Sequence, residues 1–70
     1  MSYPCREEIE RFQRAWNKLE ELGINPRKLN RDMRIAAVAC TLTEEHVRAY
    51  LEFLAARYAL RACIYRHYVR

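Results

Sequence analysis

The positions of glycine and proline constrain this chain more than any other feature of its sequence. Gly23 is the only glycine, the two prolines are Pro4 and Pro26, and neither residue type occurs from Glu44 to Arg70. Because glycine and proline are the residues that interrupt helices most strongly, this last segment is predicted to form one unbroken helix. At 1.5 Å per residue such a helix is about 40 Å long, which is more than the core of so short a chain can cover.

The same residues mark the boundaries of the helices that precede it. Pro4 suits the first turn of a helix, Gly23 can take the left-handed conformation that caps one, and Pro26 can begin the next. Between Pro4 and Gly23 apolar residues recur at helical spacing, namely Ile9, Phe12, Trp16 and Leu19. The third helix is predicted to follow a cap formed by Thr41 or Thr43, and Thr41 with Glu44 has the pattern of a capping box.

These signals together predict an all-α fold in a single small domain that comprises residues 1–70. The three helices are expected at about residues 4–22, 26–40 and 43–69. In the second helix, Leu29, Met33, Ala36 and Cys40 share the face expected to enter the core.

The third helix has apolar residues on two faces, so it is expected to need two partners. Its first stripe consists of Val47, Leu51, Leu54, Tyr58, Ala62, Tyr65 and Val69. Its second stripe, roughly 120° around the helix, consists of Tyr50, Phe53, Leu60, Ile64 and Tyr68. One stripe can pack on the other two helices, while the other would be an exposed apolar patch. We assign the second stripe to the interface of a homodimer or of a complex with another protein.

The composition favours a folded protein in the cytoplasm. Hydrophobic residues make up 51% of the chain and charged residues 31%, a balance typical of globular rather than disordered chains. The first residues lack a secretory signal, and the longest apolar run, Ile35 to Cys40, is too short to span a membrane. The cysteine count is three, and an odd count without an export signal is typical of reduced thiols.

Positive charge is concentrated in the last two thirds of the chain. Residues 1–22 carry a net charge of −1, residues 23–43 of +3 and residues 44–70 of +2. In the second helix, Arg27, Arg31 and Arg34 lie on the side opposite the apolar residues, and Lys28 lies beside them. A basic stripe of this kind is usually only a solvent-exposed face of a helix. If the partner is DNA, it is expected to bind phosphates.

Catalysis and cofactor binding are not expected. Ser2, Asp32 and Gly23 are the only residues of their types, so nucleophile elbows and phosphate-binding glycine loops are missing. Cys63 and His67 are four residues apart, a spacing that suits two zinc ligands on one helical face. Structural zinc sites usually contain a second such pair, so we predict no metal site.

The segment 35–51 resembles the helix-turn-helix of DNA-binding proteins. The matching positions are Ala37 where the two helices cross, Leu42 after the turn, Thr43 as the cap, and Val47 with Tyr50 or Leu51 as residues that seat the second helix. In that family the second helix enters the major groove and reads base edges, while the first helix and its flanks contact phosphates.

The resemblance implies a small dimeric DNA-binding protein, such as a transcriptional regulator. The residues expected to contact DNA bases are Thr43, Glu44, His46, Arg48 and Ala49. The residues expected to contact phosphates are Arg27, Lys28, Arg31 and Arg34.

A second hypothesis is a small helical adaptor or inhibitor, of the kind that phages and plasmids encode, which binds a protein partner through helix three. Tyrosines and arginines alternate near the end of that helix: Arg57, Tyr58, Arg61, Tyr65, Arg66, Tyr68 and Arg70. Both residue types are enriched at protein interfaces, although they also bind single-stranded nucleic acid. We prefer the interface, because these tyrosines fall on the apolar stripes.

Overall fold

The structure is a computed structural model that describes residues 3–68. Its elements are α1 (Arg6–Glu21), a short 3₁₀ helix (Pro26–Lys28), α2 (Leu29–Val38) and α3 (Glu44–Tyr68). The prediction of an all-α fold with three helices is confirmed, although residue 69, the expected end of the last helix, lies outside the described residues. Within residues 3–68, no helix combines the length and the apolar character needed to cross a membrane.

Helix α1 is two residues shorter at its start than predicted, for a local reason. Cys5 has a φ of 67°, so the chain enters regular helical geometry only after it. At the other end Gly23 has a φ of 80°, and the N–H groups of Gly23 and Ile24 donate to the carbonyls of Glu20 and Leu19 at 3.0 and 2.9 Å. This is the Schellman cap that the glycine predicted.

The second predicted helix is divided into the 3₁₀ helix and α2, and it ends at Val38 rather than at residue 40. Cys40 has a φ of 58°, and its N–H and that of Thr41 donate back to the last turn of α2 at 3.1 and 2.9 Å. A cysteine therefore occupies the left-handed position that glycine usually fills at such a helix end.

Thr43, not Thr41, caps α3. The Thr43 Oγ1 accepts the N–H of His46 at 3.2 Å, and the N–H of Thr43 donates to His46 Nδ1 at 3.2 Å. This reciprocal pair is a capping box in which histidine replaces the usual glutamate. The expected pairing of Thr41 with Glu44 does not occur, since the Thr41 hydroxyl donates to the carbonyl of Ala36 at 3.2 Å.

The core lies between α1 and α3, with the start of α2 closing one side. Its buried residues are Ala15, Leu19, Ile24, Leu29, Ala49, Phe53 and Ala56. The Phe53 ring centroid lies 5.1 Å from that of Phe12 and 6.1 Å from that of Trp16. Small residues on both helices, such as Ala15 and Ala56, allow this close packing.

Cys5 and Cys63 form a disulfide, so the expectation of reduced thiols is wrong for these two residues. Their Cα atoms are 5.8 Å apart although 58 residues separate them in sequence. The antiparallel course of α1 and α3 brings the start of one beside the end of the other. Cys40 is a free, exposed thiol. Because cytosolic reductants usually keep thiols reduced, the cysteines no longer support the predicted cytoplasmic location.

The face of α3 that packs on α1 consists of Ala49, Phe53, Ala56 and Cys63. Phe53, assigned to an interface with a partner, is 2% exposed and belongs to the protein's own core. The other residues of the second stripe do not form a single open surface, because Tyr50 and Leu60 are partly buried.

The first stripe is the one that remains open. Val47 is 39% exposed, Leu51 58%, Tyr58 76% and Tyr65 60%, while Leu54 is partly buried. We call these five residues the open stripe. Within the second stripe, Ile64 and Tyr68 are also exposed, at 39% and 62%, so most of the first stripe and the end of the second remain open.

Candidate nucleic-acid interface

Segment 35–51 forms a helix, a loop and a helix, but α2 and α3 do not cross closely. No Cα atom of Leu29–Val38 lies within 8 Å of a Cα atom of Glu44–Tyr68, both of which are described throughout. Ala37, matched to the crossing point of a helix-turn-helix, is exposed, and Val38 is 80% exposed. The end of α2 thus stands away from α3, and α2 reaches the core through Leu29 and Met33.

Two of the residues expected to contact bases, Ala49 and His46, instead make contacts within the protein. Ala49 is 7% exposed and packs in the core, where it has no access to a base edge. The His46 ring has Nδ1 2.6 Å from Thr43 Oγ1 and Nε2 3.1 Å from the carbonyl of Leu22. A neutral imidazole with its hydrogen on Nε2 satisfies both contacts. His46 therefore joins the cap of α3 to the end of α1.

The other three expected base contacts, Thr43, Glu44 and Arg48, are exposed at the start of α3. Arg48 donates to the carboxylate of Glu44 one turn earlier. An arginine in this position can bind the major-groove edge of guanine, and the glutamate can accept a hydrogen bond from cytosine.

A shallow depression of about 370 Å³ lies between the 3₁₀ helix, the start of α2 and the middle of α3. It is lined by Pro26, Arg27, Lys28, Leu29, Asn30, Arg31, Tyr50, Leu54 and Arg57. Its four cations, Arg27, Lys28, Arg31 and Arg57, are called the basic surface below. None of the lining side chains carries a carboxylate, so the depression is suited to an anionic ligand.

The structure brings together three of the four predicted phosphate contacts and adds residues assigned elsewhere. Arg34 is exposed on α2 but does not line the depression. Arg57 and Tyr50, which the sequence assigned to an interface on helix three, do line it. The signal that connects them is their spacing, since positions 50, 54 and 57 share one side of a helix.

The carboxylates of α3 that contact α1 are on another side of the molecule. Arg11 donates two hydrogen bonds to Glu52 at 2.7 and 2.8 Å, and Lys18 lies 2.6 Å from Glu45. These hydrogen bonds lower the pKa of both glutamates, which are therefore ionised near neutral pH. Within residues 3–68, by contrast, the side chains of Arg27, Lys28 and Arg57 form no ion pair.

Asp32 fixes the backbone that carries the basic surface. Its carboxylate accepts the N–H of Asn25 at 2.8 Å and the guanidinium of Arg31 at 3.1 Å. The Asn25 side chain in turn accepts the N–H of Arg27 at 3.0 Å and caps the 3₁₀ helix. The backbone hydrogen bond from Asn25, aided by Arg31, lowers the pKa of Asp32.

We expect acid to weaken this arrangement. A carboxyl whose pKa is lower in the folded state stabilises the fold above its unfolded pKa, and the stabilisation is lost as the pH falls through the folded pKa. The free energy of unfolding, measured from neutral pH to below about pH 4, should thus fall for the wild type. It should fall less for Asp32→Asn, which has no carboxyl group to protonate at this position. The variant should be less stable than the wild type at neutral pH. Glu20→Gln, at an exposed position on α1, is the control and should keep the wild-type pH profile.

The cysteine and histidine considered as zinc ligands are not arranged as a metal site. Cys63 is bonded to Cys5, and His67 is exposed. Across the part of the chain that the structure describes, no three His, Cys, Asp or Glu side chains are grouped closely enough to hold a metal ion.

Comparison with known proteins gives no match: no protein-family model matches the chain, and no curated protein or solved structure is significantly similar to it. The function is therefore inferred from the geometry of this chain alone.

Proposed function

We propose that this protein is a small dimeric DNA-binding protein, such as a transcriptional regulator, and that it binds the phosphate backbone through the basic surface. The observation that carries the proposal is the depression in which Arg27, Lys28, Arg31 and Arg57 converge with no carboxylate among the lining residues. Binding to several phosphates releases condensed counterions, which gives affinity without sequence preference.

The basic surface has the structural support that a phosphate site needs. Arg57 projects from the long helix α3, whereas Arg27 and Arg31 belong to the segment held by Asp32 and Asn25. Arginine side chains present several N–H donors in a planar group and bind phosphate oxygens in pairs. Cations held on two different elements bind a ligand at separate points and so also fix its orientation.

The start of α3 does not share a side with the basic surface. Arg48 and Glu44 are exposed there as a pair, but at 100° per residue Arg48 lies about 180° around α3 from Arg57. We therefore expect Arg48→Ala to leave the affinity for duplex DNA and the preferred base sequence nearly unchanged, because a duplex on the basic surface does not reach this side of α3. Selection of binding sites from a random duplex pool, for the wild type and the variant, tests this expectation.

The proposal is tested by fluorescence anisotropy with a mixed pool of duplex DNA over a range of salt concentrations. For the triple variant Arg27→Ala/Arg31→Ala/Arg57→Ala we expect affinity to fall roughly tenfold or more. The slope of log affinity against log salt should become shallower by about 6 for the dimer, since three phosphate contacts are lost from each of the two copies and each removes about one unit.

Arg14→Ala is the matched control, because Arg14 is an exposed arginine on α1 that lies outside the depression. It removes one positive charge and should change affinity less than Arg57→Ala alone. If Arg14→Ala and Arg57→Ala weakened binding equally, the affinity would reflect net charge and not the basic surface. Absence of binding by the wild type at low salt would end the proposal.

A second candidate function is binding to another protein through the open stripe. Large apolar side chains such as Leu51 and Tyr58 are 58% and 76% exposed, and contiguous apolar surface of this kind is typical of interaction sites. An adaptor or inhibitor would keep its partner when the basic surface is neutralised and lose it when Leu51 is replaced by glutamate. Pull-down with these two variants separates this function from DNA binding.

A further inference from the structure

Arg27 lies on the wall of two depressions, and each of them contains a partly buried aromatic side chain. One is the depression of about 370 Å³ described above, which has Tyr50 on its wall. The other has a volume of about 560 Å³ and is lined by Trp16, Glu20, Gly23, Ile24, Asn25 and Arg27. Because the two depressions share Arg27, this cation lies between the two aromatic side chains.

Both rings are held in place by their neighbours. The ring centroid of Trp16 lies 6.0 Å from that of Phe12 and 6.1 Å from that of Phe53. Tyr50 packs against the same core cluster. Each side chain is only partly buried, so the rest of it is open to a depression. A ring that is already fixed loses little freedom when a flat ligand stacks on it.

We propose that an unpaired segment of DNA binds across Arg27, with one base on Trp16, a second base on Tyr50 and the phosphates between them on Arg27. The inference rests on the proposed function, because it takes the phosphate contacts of the basic surface as given and names the form of DNA that this surface prefers. Two observations select an unpaired strand, one from the alternation of side chains and one from charge.

The first argument is that alternating aromatic and cationic groups match a single strand better than a duplex. Each unpaired nucleotide presents a flat base and a phosphate, and proteins bind such strands with aromatic side chains against the bases and cations along the backbone. In a duplex the neighbouring base pairs cover the faces of each base, and the grooves expose only the edges. A duplex would therefore contact the cations and leave Trp16 and Tyr50 uncovered.

The second argument is the distribution of charge between the two depressions. The depression at Tyr50 contains the four cations of the basic surface and no carboxylate. The depression at Trp16 contains Arg27 and the exposed carboxylate of Glu20. Phosphates are attracted to the first depression, whereas the second offers mainly a ring for stacking. An uncharged base tolerates the position beside Glu20, which would repel a phosphate.

Fluorescence of Trp16, the only tryptophan, reports stacking directly. The probe is oligo(dT) of about ten nucleotides, a length within the site sizes of single-strand binding proteins. Its control is an abasic strand with the same number of phosphates. Oligo(dT) should quench the Trp16 emission and bind roughly tenfold or more tightly than the abasic strand. Equal affinity for the two strands, or saturation by oligo(dT) without quenching, would overturn the inference.

Variants at Tyr50 test the second stacking position. Tyr50→Leu keeps an apolar side chain against the core but removes the ring, so affinity for oligo(dT) should fall about fivefold or more while affinity for the abasic strand is unchanged. Tyr50→Phe keeps the ring and should bind like the wild type. Tyr58→Leu is the matched control, because Tyr58 is 76% exposed and lines neither depression.

Equal affinities of Tyr50→Leu and Tyr58→Leu for oligo(dT) would show that no base stacks on Tyr50, and the inference would fail. Circular dichroism checks that both variants keep the helical content of the wild type. The comparison of oligo(dT) with the abasic strand uses the wild type alone, so it decides the inference even if Tyr50→Leu does not fold.

Duplex probes separate this inference from the proposed function. A duplex with a single-stranded gap should bind roughly tenfold more tightly than an uninterrupted one, because it adds unpaired bases to nearly the same phosphates. If the wild type binds the uninterrupted duplex and the abasic strand as tightly as oligo(dT), the inference fails and the proposed function stands. If it binds oligo(dT) with quenching but does not bind duplex DNA, the inference stands and the proposed duplex binding fails. Binding of none of these probes at low salt overturns both.

Discussion

Reduction of the Cys5–Cys63 disulfide is expected to destabilise the fold by about 4 kcal/mol, which follows from the chain entropy of closing a loop whose ends are 58 residues apart. Domains of this size are usually only marginally stable, so such a loss is a large part of the total. The bond joins the start of α1 to the last third of α3, beyond the aromatic part of the core. Beyond Cys63, all residues of α3 that the structure describes are exposed, so the disulfide is what holds this end of the helix on α1.

Chemical unfolding with and without reductant measures the effect, and the thermal midpoint should fall by about 15 °C or more. The double variant Cys5→Ser/Cys63→Ser should unfold like the reduced wild type. Cys40→Ser is the control and should behave like the oxidised protein, because Cys40 is exposed and unpaired. Titration of thiols should give one free cysteine in the native protein, and equal midpoints for the oxidised and reduced forms would show that the bond does not stabilise the fold.

The helix boundaries were the part of the fold that the sequence predicted best, because their causes are local. Gly23 and Pro26 act on the backbone at their own positions, and Thr43 caps α3 through a residue three positions away. The predicted start of α1 and end of α2 were wrong by two residues, and the causes are also local, but residue type does not reveal them. Cys5 and Cys40 both have positive φ, which is uncommon for cysteine, and helices α1 and α2 are shorter as a result.

The faces of α3 could not be assigned from the sequence, because both stripes are apolar and the choice depends on packing with α1. Ala49, Ala55, Ala56 and Ala59 could let another helix approach closely, but alanine is also the best helix former, so the sequence alone does not decide between these two interpretations. The contact face combines one large residue, Phe53, with Ala49, Ala56 and the disulfide-bonded Cys63. Small residues on this face allow the two helices to approach closely.

The candidate site could be predicted only where its residues are close in sequence, and not where packing between helices brings them together. Arg27, Lys28 and Arg31 are close in sequence, and their common side of the chain followed from helical periodicity. Arg57 joins them only because the middle of α3 borders the same depression as the 3₁₀ helix and the start of α2. His46 was expected to contact a base, whereas in the structure its Nε2 contacts the carbonyl of Leu22, 24 residues earlier, and no sequence pattern indicates that contact.

Phe53→Ala is expected to reduce the free energy of unfolding by about 3–5 kcal/mol, a loss typical of phenylalanine removed from a packed core. Phe53 is 2% exposed, and its ring contacts those of Phe12 and Trp16. Its removal leaves a cavity at the centre of the contact between α1 and α3. Thermal and denaturant unfolding followed by circular dichroism measure the loss, and fluorescence of Trp16, the only tryptophan, reports the loosened aromatic cluster directly.

Two controls distinguish a core role for Phe53 from the interface role that its place on the second stripe suggested. Phe53→Leu should lose clearly less stability, because leucine retains much of the buried volume. Leu51→Ala, on the open stripe, should change the stability of the monomer by no more than about 0.5 kcal/mol. If Phe53→Ala kept the wild-type unfolding midpoint but no longer associated, Phe53 would be an interface residue and the packing of α1 on α3 described above would be incorrect. A large loss confined to Phe53→Ala would instead show that α3 uses this face for the protein's own core.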